Sequence, residues 1–358
     1  MIRRLVAPGY SLPVAACVVL AAVWGRPLGG LLLTLVAAAL IASVLMGVHH
    51  AEIVAHRVGE PFGTLVLAMA VTVIELALIG SMMLSGSPSA DTLARDTVYA
   101  TVMIVCNGVV GLCLLVGAAR HHVVVFQLEG AGQALAVLAP LTTLTLVLPT
   151  FTTTAPGAHY SPSQLAFAGV ASLVLYGAFV FVQTVRHRDY FLPVKTGDRE
   201  EHAPRPGVAA TLASAALLFV CLVAVVGLAK LLAPSIEAGV RAANAPQSVV
   251  GICIALLVLL PETWAALRAA TRNQMQTSLN LALGSALATI GLTIPAVAAL
   301  SILIELPLTL GLGGTGTTLL ALTLLVSAIT LATGRATVLD GTVHLILFGA
   351  FLFLSVVP

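Results

Sequence analysis

Long apolar runs, separated by charged residues, prolines and polar clusters, form the dominant pattern along this chain. Eleven of these runs reach the length of about 20 residues that a helix needs to cross a bilayer. They are residues 5–24, 28–50, 61–84, 97–119, 132–151, 163–184, 207–229, 245–267, 277–303, 315–333 and 338–357. Strands of a membrane barrel would be about half as long and would alternate in polarity. The pattern therefore predicts an all-α polytopic membrane protein with 11 transmembrane helices.

The first run is the least regular of the eleven. Pro8 and Pro13 interrupt it, and Arg3 and Arg4 precede it in the manner of a secretory signal peptide. No convincing cleavage site with small residues lies before Trp24. We therefore interpret this run as an extra N-terminal helix that stays in the protein.

Composition supports a membrane protein with almost no soluble domain. Of the 358 residues, 59% are hydrophobic and only 8% are charged, whereas soluble proteins carry about 25% charged residues. Such a chain has too few charges to cover a water-soluble globule and is too apolar for disorder. The net charge of +2 includes no long basic tract, so nucleic acid is not an expected partner, whereas membrane lipid is.

Lysines and arginines are unevenly distributed among the segments that connect the runs. With the N-terminus in the cytoplasm, the inner segments hold twelve of the 16 basic residues and the outer segments hold four. Because cytoplasmic loops are enriched in basic residues, this count predicts a cytoplasmic N-terminus. An odd number of spans then places the C-terminus outside. We expect a multi-pass protein of the cell's inner (plasma) membrane.

The longest hydrophilic stretch, residues 185–206, divides the chain into two parts. With the extra helix 5–24 set aside, residues 28–184 and residues 207–357 each contain five spans. Two homologous units with an odd number of spans must have opposite orientations in one membrane. Inverted repeats of this kind are typical of secondary transporters, whose site lies near the midplane. We predict two inverted five-helix repeats joined by a cytoplasmic linker.

Two glutamates lie inside predicted spans, at corresponding places in the two halves. Glu75 is in the run 61–84 and Glu262 is in the run 245–267, which are the second spans of their halves. An ionised carboxylate at the centre of a membrane helix costs about 2.5–3.5 kcal/mol. Each glutamate is therefore expected to face the protein interior and to hold a proton or a cation. The alternative is a permanently protonated acid that forms a hydrogen bond between helices.

Neutral oxygen ligands accompany both acids. Thr72 precedes the first acid by about one turn, Asn107 lies in the next span, and Ser285 and Thr289 share a face of the span after the second acid. The alternative is a packing seam in which hydroxyls bond to their own helix. Carboxylates with neutral oxygens suit hard cations such as calcium, whose charge two glutamates would balance. Because glutamate also binds protons, competition at such a site gives the simplest mechanism of antiport.

A stretch of the second half resembles the signature of a known transporter family. Residues 261–295 contain Glu262, then RNQM at 272–275, and then GSA at 284–286. This order resembles the second signature repeat of cation/proton exchangers in the cation/calcium exchanger superfamily. The segments that begin GEPFGTL and RDTVYAT resemble the first, looser repeat. Within the superfamily the chain looks most similar to the bacterial ChaA-type calcium/proton antiporters.

The resemblance implies that Glu75 and Glu262 are the paired metal ligands that bind the cation or protons. It also implies gradient-driven exchange by alternating access, without ATP, with calcium as transported substrate and no resident cofactor. The chain departs from the family pattern at Thr72 and Leu259, where the family often has Asn, and at Ala288, where Gln is common. Because amide oxygens are missing there, sodium/proton or potassium/proton exchange on the same fold stays open as the alternative.

Three further residues have two interpretations each. Glu60 is either an acid at the cytoplasmic entrance or an ordinary helix start that the helix dipole favours. Pro261 either frees a backbone carbonyl for an ion or only bends its helix. His344, which lies one turn after Asp340, is either a proton relay or gating group, or a packed and hydrogen-bonded histidine.

Other classes of function lack their signatures in this sequence. An intramembrane enzyme would need an activated nucleophile or a metal motif such as HExxH, and the sequence contains no such motif. The glycine-rich run at 311–317 is not followed by the Lys-Ser/Thr pair of a phosphate-binding loop. An ion channel more often repeats its filter around a symmetric oligomer. We therefore predict an antiporter, and neither an enzyme nor a channel.

Overall fold

The protein folds into long helices that follow the predicted spans in order. A computed structural model describes residues 8–26, 29–59, 62–84, 90–192, 206–306 and 308–357. The helices within these ranges are α1 (Pro8–Val23), α2 (Gly30–Val58), α3 (Phe62–Met83), α4 (Leu93–His121), α5 (Leu128–Thr150), α6 (Pro162–Arg186), α7 (Val208–Ala242), α8 (Ser248–Thr271), α9 (Met275–Ile304), α10 (Gly314–Leu331) and α11 (Val338–Val356). The predicted all-α class and the eleven helices are confirmed.

Most of these helices can cross a membrane by length and composition. Counted over the described residues, nine helices are long and apolar enough. The apolar parts of the remaining two, Gly9–Val23 in α1 and Met69–Met83 in α3, are shorter. Short elements complete the fold: a 3₁₀ turn at Arg188–Phe191 and the two-residue strands β1 (Val124–Val125) and β2 (Arg335–Ala336).

Two helices run well past the boundaries that the sequence predicted. The predicted spans ended at residues 50 and 229, whereas α2 continues to Val58 and α7 continues to Ala242. The reason is that residues beyond the apolar runs pack against protein. In α2, Ala51 and Ala55 are buried, and Arg57 Nη1 donates a hydrogen bond to the carbonyl oxygen of Pro206 at 2.9 Å. His50 of α2 is buried, and its Nε2 lies 2.7 Å from the carbonyl oxygen of Gly9 in α1. Glu237, which the sequence placed in a loop, is a buried residue of α7.

The first of two compact units consists of α1, α2, α3 and α7. Within it α7 packs against the other three helices, and its largest contact is with α2. Gly47 of α2 makes this packing close, because a Cβ atom there would lie 3.3 Å from Ile74 Cδ1 and 3.5 Å from Cys221 Cβ. A small residue thus lets α2, α3 and α7 meet at one level, as is common between membrane helices.

The second compact unit consists of α4, α5, α6, α8 from Gly251 onward, and α9 to α11. Among the candidate spans, α4 has the largest buried share. It packs closely on α11, because Gly111 and Gly341 face each other: a Cβ on Gly341 would lie 2.8 Å from the carbonyl oxygen of Gly111. In the same unit α9 packs against α5 and α6, and α10 packs against α5.

The compact units cut across the predicted repeats. Helix α7 belongs with α1 to α3, whereas α9 to α11 belong with α4 to α6. The division into repeats 28–184 and 207–357 stays a prediction, since a grouping by contacts does not measure internal symmetry. Of the predicted linker 185–206, residues 193–205 lie outside the described part of the chain.

Contacts between loops of the second unit agree with the predicted order of crossings. Strand β1, between α4 and α5, pairs antiparallel with β2, between α10 and α11. On the connections from α5 to α6 and from α9 to α10, His159 and Thr309 form an isolated bridge. Each pair joins two connections that the count of spans assigns to the same side of the membrane. The pairing therefore supports continuous crossing by α5 to α10.

The contact between Gly111 and Gly341 leads to a stability prediction. We expect Gly341→Ala to lower the midpoint of thermal unfolding in detergent, because overpacking a close helix contact costs about 1–3 kcal/mol. Gly349→Ala on the same helix is the matched control, since no atom lies within 4 Å of its added Cβ. Alanine at that site should be neutral or stabilising. Equal midpoints for the two variants would contradict the close approach of α4 and α11.

Candidate cation-binding site

The best-defined part of the candidate site is the contact between Glu262 of α8 and Ser285 of α9. Ser285 Oγ donates a hydrogen bond to Glu262 Oε1 at 3.2 Å, and each residue is only 8% exposed. Two residues 23 positions apart in the sequence are thus brought together in the protein interior. This is the geometry expected of a membrane-embedded carboxylate, which needs polar partners away from lipid.

Glu262 lies far along α8 from the point where this helix contacts the start of α4. Gly251, near the start of α8, lies against Asp96 and Thr97 in the first turn of α4, where a Cβ atom would be 2.8 Å from the Thr97 nitrogen. Glu262 follows Gly251 by three helical turns, or about 16 Å at 1.5 Å per residue. Glu262 is therefore well removed from the helix end that contacts Asp96.

Pro261 lies inside α8, directly before Glu262, and the helix continues through it to Thr271. Proline has no backbone N–H, so the carbonyl of Leu257 loses its usual partner within the helix. The structure is compatible with both predicted roles, a carbonyl available to an ion and a local bend.

Glu75 lies in the other compact unit, on α3. Its side chain is 1% exposed, and Thr72, one turn earlier on the same face, is also buried. The burial agrees with the prediction that this acid avoids lipid. Glu60, the predicted entrance acid, lies outside the described residues.

Asn107 is a fully buried residue of α4. Its Nδ2 donates a hydrogen bond to Thr323 Oγ1 of α10 at 2.9 Å. Its Oδ1 has no hydrogen-bond partner in the described part of the chain. An amide oxygen that is buried and open in this way is a reasonable cation ligand. Sequence reasoning missed Thr323, because no local signal links two residues 216 positions apart.

Two predicted ligands lie in π-helical segments. Asn107 belongs to the segment Ile104–Val109 of α4, and Thr289 begins the segment Thr289–Thr293 of α9. Such segments displace backbone carbonyls from the regular ladder and are frequent at functional sites. The α4 segment packs directly against α9. The sequence carried one signal of the second segment, because Pro295 cannot donate a hydrogen bond to the carbonyl of Gly291.

Further oxygens lie beside these segments. Thr293 Oγ1, at the end of the α9 segment, is buried and has no hydrogen-bond partner among the described residues. The described residues contain no group of three or more His, Cys, Asp or Glu side chains that could hold a metal ion. The available donor set therefore consists of separate carboxylates with hydroxyl, amide and carbonyl oxygens, which suits hard cations.

His344 is a buried residue of α11 rather than a group at the surface. It is 1% exposed, and its Nε2 lies 3.2 Å from Thr330 Oγ1 of α10. Its Nδ1 has no hydrogen-bond partner among the described residues, so the geometry is compatible with both predicted interpretations, a packed histidine and a proton relay. The contact of Nε2 leaves it able to exchange a proton with Thr330.

Comparison with protein families covers nearly the whole chain. The family described as "Sodium/calcium exchanger protein" matches residues 27–185 and 213–357. The chain is 49% identical over 356 residues to the putative ionic transporter y4hA of Sinorhizobium fredii, covering 98% of this chain and 96% of that protein. It is 36% identical over 316 residues to the sodium-potassium/proton antiporter ChaA of Escherichia coli, covering 87% of this chain and 85% of that protein.

Solved structures show the same fold. The structure of native YfkE aligns with a TM-score of 0.73 at 18% sequence identity and covers 100% of both chains. The crystal structure of the H⁺/Ca²⁺ exchanger CAX aligns with a TM-score of 0.72 at 15% identity, covering 98% of this chain and 87% of that chain. The predicted architecture thus has experimental counterparts of closely similar length.

The hydrogen bond between Asn107 and Thr323 leads to a second stability prediction. Thr323→Val keeps the shape of the side chain but removes the acceptor, and an unsatisfied buried donor costs about 1–3 kcal/mol. We expect a lower midpoint of thermal unfolding in detergent. Thr342→Val is the matched control, since the Thr342 hydroxyl is exposed and bonds to the Val338 carbonyl of its own helix. Equal stability of the two variants would contradict the buried hydrogen bond.

Proposed function

Because the chain belongs to the sodium/calcium exchanger protein family, we propose that it exchanges calcium for protons across the membrane by alternating access. Members of this family are secondary transporters and not enzymes, and the chain is a multi-pass membrane cation exchanger. The proposal concerns the identity of the ions and the residues that bind them. Calcium is the transported substrate in this proposal and not a resident cofactor.

The observation that carries the proposal is the buried contact between Glu262 and Ser285. In the protonated state the carboxyl group is neutral and is tolerated in the membrane interior. In the deprotonated state its charge needs a cation, because an uncompensated charge at this depth is costly. The proton and the cation therefore exclude each other at Glu262, and this exclusion couples their movements. We assign the same exchange of ligands to Glu75.

Calcium is favoured by the charge of the two acids. Two carboxylates neutralise a divalent ion, and neutral oxygens such as Asn107 Oδ1 and the hydroxyls of Ser285, Thr72 and Thr289 suit its preference for oxygen ligands. Each of these oxygens is a proposed ligand, and backbone carbonyls and water would complete the coordination shell of the ion.

Exchange of sodium or potassium for protons is the second candidate. One observation favours it: the 36% identical relative is a sodium-potassium/proton antiporter. The sequence offers a physical reason as well, since Thr72, Leu259 and Ala288 stand where amide side chains are common in the wider family. A monovalent ion needs less negative charge from its ligands than calcium does.

Transport by sealed vesicles separates these candidates and tests the acids. We expect that calcium, added to everted vesicles containing the protein, releases protons, whereas Glu75→Gln and Glu262→Gln each lower the rate at least about 100-fold. The factor follows from losing a buried charge partner, worth 3–5 kcal/mol. Sodium and potassium are added separately to the same vesicles. The measurement is the change of internal pH reported by a dye.

Glu129→Gln is the matched control, because Glu129 is an exposed acid in the first turn of α5. This variant should transport at the wild-type rate. Full calcium-dependent proton movement by either buried-acid variant would overturn the assignment of that acid. Proton movement with sodium or potassium, and none with calcium, would replace the first candidate by the second. Calcium entry without proton movement would point to a channel.

We also propose that the protein lies in a bacterial inner membrane, with its N-terminus in the cytoplasm and its C-terminus outside. The bacterial relatives and the distribution of basic residues support this arrangement. A reporter enzyme that is active only outside the cytoplasm, fused to the C-terminus, should be active. The same reporter placed in the segment 193–205 should be inactive. The reverse pattern would show that the orientation is wrong.

A further inference from the structure

One face of α10 carries a row of buried hydroxyl groups that the site described above does not use. Thr323, Ser327 and Thr330 are spaced by four and three residues, so they lie on the same side of the helix. All three are at most 5% exposed. This row runs along α10 for about 10 Å at 1.5 Å per residue.

Each end of the row meets a buried polar side chain from another helix. At one end Thr323 Oγ1 accepts a hydrogen bond from Asn107 of α4 at 2.9 Å. At the other end Thr330 Oγ1 lies 3.2 Å from Nε2 of His344 in α11. The middle member, Ser327, has a buried Oγ without a hydrogen-bond partner in the described part of the chain. The row therefore has a buried amide at one end and a buried imidazole at the other, and its middle oxygen is open to a bridging water.

The His344 end of the row also lies close to the part of α4 that contains Asn107. The helix that carries His344 packs against the π segment of α4, and a Cβ on Gly111 of α4 would lie 2.8 Å from His344 Cβ. His344 Nδ1 is buried and has no hydrogen-bond partner among the described residues. Asp340 lies one turn nearer the start of α11, where its carboxylate accepts hydrogen bonds from Thr337 at an exposed position. His344 thus lies between a carboxylate near the surface and the π segment of α4.

These hydroxyls differ from ordinary membrane-helix hydroxyls in the same unit. Serine and threonine in a helix usually donate to the carbonyl four residues earlier. Thr142, Thr145 and Ser172 do so, bonding to the carbonyls of Leu138, Leu141 and Ala168. In the α10 row, Thr323 and Thr330 bond to side chains of other helices, and Ser327 has an open oxygen. Packing alone gives no reason for this arrangement, because unsatisfied polar groups are costly in an apolar interior.

We propose that Thr323, Ser327 and Thr330, with His344, form a proton path along α10, which we call the α10 relay. It deepens the proposed function and rests on it, because it supplies protons for exchange at the Asn107 end. Chains of protonatable and hydroxyl side chains serve as proton relays in other membrane transporters. We expect the cation not to use the α10 relay, because the relay contains no carboxylate between Thr323 and His344.

One proton moves from His344 to the Asn107 end of the row, and every hydroxyl between them both accepts and releases a proton. The His344 imidazolium releases its proton from Nε2 to Thr330 Oγ1, and the Thr330 hydroxyl gives up its own proton toward Ser327. Ser327 and a bridging water pass a proton on in the same way, and Thr323 delivers one to a water beside Asn107. The imidazole is left neutral, each hydroxyl keeps one proton, and the net movement is one proton from His344 to that water.

The test separates proton-coupled exchange from exchange of the cation alone. Proteoliposomes with the full chain are assayed for proton release driven by the cation, and for isotope exchange with the same cation on both sides. The cation is whichever of calcium, sodium and potassium the wild type exchanges. We expect His344→Gln and Ser327→Ala to lower proton-coupled exchange at least about tenfold, in line with the loss of a proton-transfer group. Isotope exchange should stay close to the wild-type rate.

Two further variants keep the test specific. Ser327→Thr retains the hydroxyl and should restore proton-coupled exchange. Ser172→Ala removes an equally buried hydroxyl from α6 and should leave both rates unchanged. The relay is overturned if His344→Gln and Ser327→Ala lower both rates in proportion, which indicates a purely structural role, or if they lower neither. A wild type that exchanges none of the three cations would instead overturn the proposed function, and the relay with it.

Discussion

The cost of placing a charged or unsatisfied polar group in an apolar interior constrains this protein more than any other interaction. Water can hydrate a carboxylate at the surface of a soluble enzyme. The carboxylate of Glu262 must instead be stabilised by protein groups, a proton or a bound ion. Its hydrogen bond with Ser285 shows how the fold meets this requirement. The same constraint explains why the second acid, Glu75, is also hidden from the surface.

Two helices that carry proposed ligands depart from regular geometry. The π segments at Ile104–Val109 and Thr289–Thr293 disturb the backbone ladder at mid-helix, where a regular helix would leave no carbonyl for another partner. Close packing then compensates for the disturbance. Gly111 and Gly341 bring α4 and α11 within backbone contact, and Gly291 lets the ring of Tyr176 pack on the α9 segment. The two segments that carry Asn107 and Thr289 are thus largely buried in protein.

The sequence predicted the helices well because hydrophobic length is a local property. Each apolar run gave a helix, but the predicted ends of α2 and α7 were wrong, since polar residues such as Arg57 and Glu237 can continue a helix where protein covers or bonds to them. The candidate site was predictable only in part. Ser285 could be placed near Glu262 because the two helices are consecutive and joined by a short turn. Thr323 could not be placed beside Asn107, because that contact depends on how distant helices pack.

The choice of transported ion depends on charge more than on the number of oxygens. If both acids bind one ion, as proposed, a monovalent ion would leave one negative charge unbalanced in a low-dielectric interior, and one proton would relieve this charge. A divalent ion leaves no such charge. The absence of amide side chains at Thr72, Leu259 and Ala288 would remove possible oxygen ligands without deciding between these two states. What decides is whether a proton stays bound on one acid while the other holds the cation. The proposed proton path from His344 to Asn107 would allow that proton to be exchanged without the cation leaving by the same route.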